Sequence, residues 1–453
     1  PHIGGVNVHD HNDFKKNDNR EDIFDFLNAI AGFLVTFLFF FTLFVLIFAP
    51  IFIFIFAPGF YFDPVKKDLS VNILRIMFPY LALISLVAFA GGIQNSHDRF
   101  SIPAFTPVIF NLCLIFAAVI IAPNFEMPIY ALAWGVLLAG FLQLLIQYFP
   151  LSTINMLPRP VLNFENKGLK KFLLLIMPAI LAGGIIQINI LIDTIFASLL
   201  ETGSPTWLYV SDRLIQFPMG IFAIAIGTVL LPRLSKLDVG SQRQKFIDTL
   251  ANSQSLVIFI GIPSLIGLVF CSEDLIAAIF LRGEFQPSDV FRSSNSLVAF
   301  SFGLPFFMLM KVLTPAFFAR KDTKTPMYVA FLALLLNAIL NYVLAFVLNF
   351  GHVGLAIGSS IAAFVSVLIL EYILCKNGLV YLKNLNYRFF IAIILSSTAL
   401  IIFLKFYTAF TDFMIMSQAE RFLYLGVEVI FSIIIYFSIA RLILGTSFIK
   451  QFN

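Results

Sequence analysis

Long apolar runs alternate along this chain with short polar breaks, and the runs are about as long as a bilayer is thick. An α-helix rises ~1.5 Å per residue, so ~20 consecutive apolar residues cross ~30 Å of hydrocarbon. Twelve stretches reach that length: 24–57, 71–95, 103–123, 128–150, 170–200, 206–232, 247–280, 289–318, 327–349, 353–376, 388–407 and 421–446. Inside hydrocarbon every backbone N–H and C=O must be satisfied within its own segment, so each stretch is predicted to be helical. Several exceed the minimum, which predicts tilt, kinks or overhang. Pro50 is placed to bend the first stretch and Pro58 to end it.

Composition agrees with this pattern. The 453 residues are 60% hydrophobic and 12% charged, with 56 Phe, and the mean hydropathy is +0.96. That is roughly half the charge fraction of a soluble domain. A large soluble core would need polar helix faces to cover it, and these are missing.

The positions of the basic residues give an orientation. With the N-terminus inside, the inner segments carry Lys15, Lys16, Arg20, Arg99, Arg159, Lys167, Lys170, Lys171, Arg233, Lys236, Arg243, Lys245, Arg320, Lys321, Lys324, Lys376, Lys383, Arg388, Arg441 and Lys450. The outer side has only Lys66, Lys67, Arg282, Lys405 and Arg421. The asymmetry alternates through all twelve spans, and one miscounted helix would invert everything after it. The net charge of +4 therefore reports topology, not a nucleic-acid partner.

Catalytic signatures are missing. There is no Walker loop, GxSxG elbow or HExxH. Cys113, Cys271 and Cys375 lie in or beside apolar stretches without CxxC spacing and read as reduced packing residues, not metal ligands. His2, His9, His11, His97 and His352 fall in tails or loops, where a solvated surface is expected. Pro1 to Arg20 is polar and has no signal-peptide core; it reads as a tail, a tag-like remnant or the product of a truncated reading frame.

The informative residues are those that interrupt the apolar runs. An ionisable group inside a span costs ~2.5–3.5 kcal/mol on insertion scales, so it faces a partner, a cavity or a pathway. The candidates are Arg75, Asp193, Asp212, Arg213, Arg292, Lys311, Glu371 and Glu428. Arg292 and Lys311 lie near helix ends and can snorkel, and Glu428 also has a structural reading. Asp212 and Arg213 are neighbours and point ~100° apart on a helix, so they serve different partners. Arg213 is then free either to clamp a phosphate bidentately or to pair with another helix. Pro218 and Gly220 permit a bend just beyond. Asn337 and Asn341, at i and i+4, share a face. Together with Asp193, Ser359 and Ser360 they offer hard oxygen ligands for a small cation such as Na⁺, or interhelical hydrogen bonds.

An internal echo links Arg99-Phe-Ser-Ile-Pro, followed by Asn111, to Arg320-Lys-Asp-Thr-Lys-Thr-Pro, followed by Asn337, 221 residues later. Parallel repeats of one bundle would produce such an echo. The run Asn95-Ser-His-Asp-Arg-Phe-Ser-Ile-Pro-Ala-Phe-Thr-Pro resembles the MurJ (MviN) lipid II flippase family of bacteria. So do Pro178-Ala-Ile-Leu, Asp193-Thr-Ile-Phe-Ala-Ser, Ser211-Asp-Arg-Leu through Phe217-Pro-Met-Gly, Gly227-Thr-Val-Leu-Leu-Pro-Arg-Leu-Ser, and Arg320 to Pro326. The resemblance runs in order from about residue 21 to the C-terminus.

That resemblance implies an all-α polytopic membrane protein of the MATE-like (MOP) exporter superfamily, with pseudo-repeat bundles around a cationic cavity and two extra C-terminal helices. The twelve spans match the family's third to fourteenth helices, which implies a chain lacking the first two. The implied organisation is a polar tail at 1–23, a partial N-lobe of four spans at 24–150, a cytoplasmic linker at 151–169, a six-span C-lobe at 170–376, and two further spans at 377–453. The implied activity is movement of undecaprenyl-pyrophosphate-linked peptidoglycan precursor across the bacterial cytoplasmic membrane by alternating access, without catalysis. Substrate contacts are expected from Arg213, Asp212, Thr206 and Arg99, and Na⁺ contacts from Asp193, Asn337, Asn341 and Ser360. No other cofactor and no nucleic-acid partner are expected; the chain is expected to act as a monomer among membrane lipids, with both termini cytoplasmic. Gln216 stands where the family often has an acidic residue. A flippase for another polyprenyl-linked glycan or a MATE-like drug exporter would keep the architecture. A membrane glycosyltransferase would need catalytic carboxylates, and the short outer loops offer only scattered acids.

Overall fold

A computed structural model describes residues 20–163, 165–237, 242–379 and 387–445. Within these, the side chains at 20, 167, 175, 177–183, 185 and 186 are not described. The tail before residue 20, with His2, His9 and His11, lies outside the described residues, as do Lys383, Lys450 and the side chains of the Pro178-Ala-Ile-Leu motif. The helices are α1 (Arg20–Ile47), α2 (Ala49–Phe56), α3 (Pro64–Met77), α4 (Pro79–Ser96), α5 (Ser101–Phe116), α6 (Ile129–Thr153), α7 (Lys167–Ser198), α8 (Ser204–Pro218), α9 (Ala225–Ser235), α10 (Arg243–Phe270), α11 (Ser272–Phe280), α12 (Pro287–Ala319), α13 (Lys324–Tyr342), α14 (Gly351–Lys376), α15 (Tyr387–Phe410) and α16 (Gln418–Leu444).

Among the described residues, eleven helical stretches are long and apolar enough to cross a membrane. The twelfth expected span falls on α7, whose described apolar part is Gln187–Ser198. The chain is thus a multi-pass membrane protein. Its exposed surface has the chemistry of lipid: Phe37, Phe39 and Phe40 are 54%, 61% and 62% exposed along α1.

Breaks in the helices follow from missing donors. Pro50 has no N–H, and the first span divides at Phe48 before restarting as α2, which ends at Ala57 ahead of Pro58. Pro79 likewise separates α3 from α4. The 247–280 stretch, expected as one span, is two helices parted at Cys271. Pro218 is followed by a π-turn over Met219–Ile224, which is the form the expected bend takes.

The chain divides into two compact units between Gln187 and Ile188, inside α7 and not within the expected 151–169 linker. That linker is bound to the first unit. The Arg159 N–H donates to Asn28 Oδ1 at 2.6 Å and the Val161 N–H to the Asn28 carbonyl at 3.1 Å. Gly32 makes the approach possible, since a Cβ there would run into the Val161 backbone. The first unit's core joins Leu27, Ile30, Phe89, Ile93, Leu151 and Phe172. A buried polar ladder continues it: Gln94 donates to Gln147, and Gln143 donates to the Thr106 carbonyl at 2.8 Å.

In the second unit α12 and α14 are the most enclosed helices. Small residues let them close: a Cβ on Gly303 would lie 2.9 Å from Ser360 Cα. Around them Leu297, Leu304, Met308, Val312, Phe317, Val329 and Leu370 form the core. The helices α15 and α16 are fixed to α10 by Phe259, Ile266, Phe389, Ile393, Leu400 and Tyr436. The Tyr436 hydroxyl donates to the Phe259 carbonyl at 2.9 Å.

The two units repeat one design, but not in the register the sequence echo gave. Asp98 and Lys321 are the left-handed residues of equivalent turns (φ 59° and 60°), and Asn155 and Gly378 (φ 52° and 66°) end equivalent helices. Both pairs are 223 residues apart. So are the starts of α3 and α12, of α5 and α13, and of α1 and α10. The pairing of Arg99 with Arg320 is therefore off by two: Arg99 matches Asp322, and Asn111 matches Leu334 instead of Asn337. The turn geometry sets the register, because in each turn the residue after the left-handed position donates its N–H five residues back, Arg99 to Gln94 and Asp322 to Phe317.

Candidate functional site

In the second unit one half-buried carboxylate gathers the polar groups of three helices. Asp193 on α7 accepts at Oδ1 from Asn341 Nδ2 (2.6 Å) and Asn337 Nδ2 (3.2 Å), both on α13. At Oδ2 it accepts from Asn189 one turn earlier, at 3.4 Å. Asn337 also donates to Asn189 Oδ1 at 3.0 Å, and Ser359 Oγ of α14 donates to Asn337 Oδ1 at 3.4 Å. Asn341 is fully buried, and its Oδ1 has no donor. Gly358 leaves the room for this, since a Cβ there would collide with Asn341 Oδ1.

The structure thus joins Asp193, Asn337 and Asn341 and adds Asn189, which the sequence reading omitted although its i, i+4 spacing to Asp193 was available. Ser360 is turned away: its hydroxyl donates to the Ala299 and Ala356 carbonyls at 2.9 and 3.0 Å, toward α12. Ser359 supplies the hydroxyl instead. The oxygen inventory is a carboxylate, amide carbonyls and a hydroxyl. The Asn341 amide can present O or N by a half-turn, so the same pocket can satisfy an anionic carboxylate or ligate a hard cation.

Arg213 lies elsewhere on this unit. It begins ~14 Å into the α8–α9 span at ~1.5 Å per residue, close to the middle of a ~30 Å hydrocarbon layer. It is exposed, with its guanidinium 4.8 Å from the Tyr209 ring centre. Thr206, Tyr209, Arg213 and Phe217 follow at helical spacing and are all exposed, so they form one stripe. Asp212 points off that stripe, to Gln216, which donates to its carboxylate. An acidic residue at 216 would not make that bond. Arg99 belongs to the first unit, in the exposed turn before α5.

A second polar cluster joins α8, α12 and α14. Trp207 Nε1 donates to Asp289 Oδ1 at 2.7 Å, and Arg292 pairs with Glu201 at 2.9 Å while lying 5.3 Å from the Trp207 ring. His352, expected as solvated, is buried: its ring centre lies 4.8 Å from that of Trp207 with the planes tilted by 55°, and Nε2 sits 3.0 Å from the Arg292 carbonyl. Arg421, assigned to the outer side of the membrane, is buried in the protein. It donates to the carbonyls of Phe413, Leu281 and Met414 at 2.7, 2.9 and 3.1 Å. Among the described residues no group of three His, Cys, Asp or Glu side chains is placed to hold a metal ion.

Comparison with known proteins gives one consistent answer. The family model described as "Lipid II flippase MurJ" matches residues 11–423. The probable lipid II flippase MurJ of Vibrio cholerae is 41% identical over 319 residues, covering 70% of this chain and 60% of that relative. The chain thus spans about three-fifths of that relative's length. The probable lipid II flippase MurJ of Buchnera aphidicola from Acyrthosiphon pisum is 38% identical over 392 residues, covering 86% and 76%. A solved structure of lipid II flippase MurJ in an inward closed conformation superimposes with a TM-score of 0.80 at 25% identity, over 98% of this chain and 89% of the other.

Proposed function

This chain belongs to the lipid II flippase MurJ family, and we propose that it carries an undecaprenyl-pyrophosphate-linked peptidoglycan precursor across the bacterial cytoplasmic membrane by alternating access. The observation that carries this reading is Arg213, an exposed guanidinium near mid-span with the Tyr209 ring beside it and the Asp212 carboxylate within reach of its charge. Such a group is not stable against lipid tails and implies a wet or ligand-filled space. A pyrophosphate diester brings about two negative charges, and a planar guanidinium can grip its oxygens in pairs. In a low dielectric that attraction offsets much of the charge cost that makes unaided flipping slow. Tyr209 holds the guanidinium plane, while Thr206 offers a hydroxyl on the same stripe. Asp212 stays outside the anion's reach, held by Gln216. Arg99 is proposed to meet the head group on the cytoplasmic side.

Sodium is the proposed coupling ion. Asp193, Asn337, Asn341 and Ser359 would hold it, and it would supply a positive charge that neutralises Asp193. The buried Asn341 Oδ1 that lacks a donor supports the fit. The π-turn at Met219–Ile224 gives the Arg213 helix a place to flex. No bond is made or broken. The basic asymmetry supports cytoplasmic termini, and the reading takes the protein as a monomer with separate lobes at 24–150 and 170–376 and an accessory helix pair at 377–453.

The test is complementation of a flippase-depleted bacterium. Arg213→Ala should fail at normal expression and Arg213→Lys should rescue partly, because a point charge loses the bidentate grip. Full rescue by Arg213→Ala would remove the pyrophosphate assignment.

A further inference from the structure

A fully buried acid lies far along the chain from Asp193. Glu428 of α16 is 0% exposed, and neither carboxylate oxygen has an N–H or O–H donor. Asp274 of α11 faces it, with a buried Oδ2 that is also unpartnered. Where α11 packs on α16, two acids with buried, unpartnered oxygens thus lie close enough to feel each other's charge.

The surroundings offer no compensating cation. From the α10–α11 junction comes the Cys271 thiol, a weak donor, and from α11 also Glu273. The segment before α16 contributes Asp412. From α15, Tyr407 spends its hydroxyl on the Tyr424 carbonyl at 2.9 Å. Arg421, two turns before Glu428, is committed to three carbonyls, and Lys405 lies over the Phe270 ring at 5.9 Å. Beyond Asp248, α10 carries no charged side chain.

A buried ionised carboxylate costs several kcal/mol without a partner, and two side by side repel. A metal ion does not resolve this, since the described residues show no three-ligand set. A proton does: held by either acid, it removes one of the two charges and leaves the other carboxylate without a like-charged neighbour.

We propose that Asp274 and Glu428 form a proton-binding carboxyl pair at the joint between α11 and α16, separate from the Asp193 cluster. The joint is otherwise held by Gln418 Nε2 donating to the Ala278 carbonyl at 2.6 Å and by the Arg421 bracket. Removing the proton puts negative charge into that joint, and the helices must separate or admit water. The protonation state therefore sets how firmly the α15–α16 pair is docked. This inference stands apart from the flippase reading.

Infrared titration of the full chain in lipid vesicles tests it, with Glu428→Gln and Asp274→Asn as near-isosteric variants. The wild type should show a protonated-carboxyl absorption at pH 7 that Glu428→Gln removes. Asp274→Asn should move the midpoint of the Glu428 band by more than about 1 pH unit, as coupled sites require. This second variant carries the test if Glu428→Gln does not fold. A carboxyl region unchanged in Glu428→Gln, a midpoint unmoved by Asp274→Asn, or displacement of the band by Na⁺ at fixed pH would each overturn the proposal.

Discussion

Replacing Gly358 by Ala should damage the Asp193 cluster although Gly358 carries no polar side chain. A Cβ at 358 would overlap Asn341 Oδ1 and stand 3.3 Å from the Asn341 backbone N and 3.4 Å from Asn337 Oδ1. The backbone contact cannot be relieved by turning a side chain, so α13 and α14 must part slightly. Overpacking of this kind costs ~1–3 kcal/mol. If the Asn341 amide is pushed aside, its 2.6 Å bond to Asp193 is lost as well, worth ~1.5–3 kcal/mol for a charged acceptor. The combined loss is then ~2.5–6 kcal/mol. Gly267→Ala is the control: a Cβ there meets nothing within 4 Å, and a helical Gly→Ala change gains ~0.5–1 kcal/mol. Denaturant unfolding in mild detergent, read by tryptophan fluorescence, compares the two. If Gly358→Ala stays within ~0.5 kcal/mol of the control, the range of an inconsequential substitution, the close packing of α14 on the cluster is wrong.

Other outcomes follow from the same geometry. Arg421→Met should strand three carbonyls at ~1–3 kcal/mol each where they stay buried, and should lower the midpoint for α15–α16 release in limited proteolysis far more than Arg282→Met does at an exposed site. Trp207→Phe keeps the ring but removes the 2.7 Å bond to Asp289; about 1.5–3 kcal/mol should disappear in thermal unfolding, and equal melting would refute that role. Asp322 lies between spans, where first the Thr325 backbone N–H and then its hydroxyl hold the carboxyl below its ordinary range. Its contribution should be complete above about pH 4 and fade as pH falls through the lower folded value. Asp322→Ala should cost ~0.5–2 kcal/mol at pH 7, and the gap to wild type should close in acid. A gap that does not vary with pH would contradict the assignment.

The spans were readable because lipid leaves a chain few choices. An apolar run of bilayer length has to be a helix, and Pro50 and Pro58 announce the break and end of the first. The division at Cys271 carries no such residue, and the sequence reads straight through it. The polar groups divide in the same way. Asp193, Asn337 and Asn341 stand out against apolar neighbours, so their types and spacing mark them. Which of Ser359 and Ser360 joins them depends on how α14 is rotated against α12, and that is set by the contact of Gly303 with Ser360, 57 positions apart. His352 sits beside a loop and looks solvated; it is buried by Trp207, 145 positions earlier in the chain.

The duplicated design also differs between its copies in how it resists shear. Where the first unit has Gln94, Gln147 and Thr106, the second has Phe317, Leu370 and Val329 at the same places in the repeat. Amide bonds act only over a narrow range of angle and length, so the helices they join keep one alignment. Greasy contacts lose little when they slip by a fraction of a turn. At these three places the first copy is accordingly held to one alignment, while the second is tied elsewhere, by the amides around Asp193.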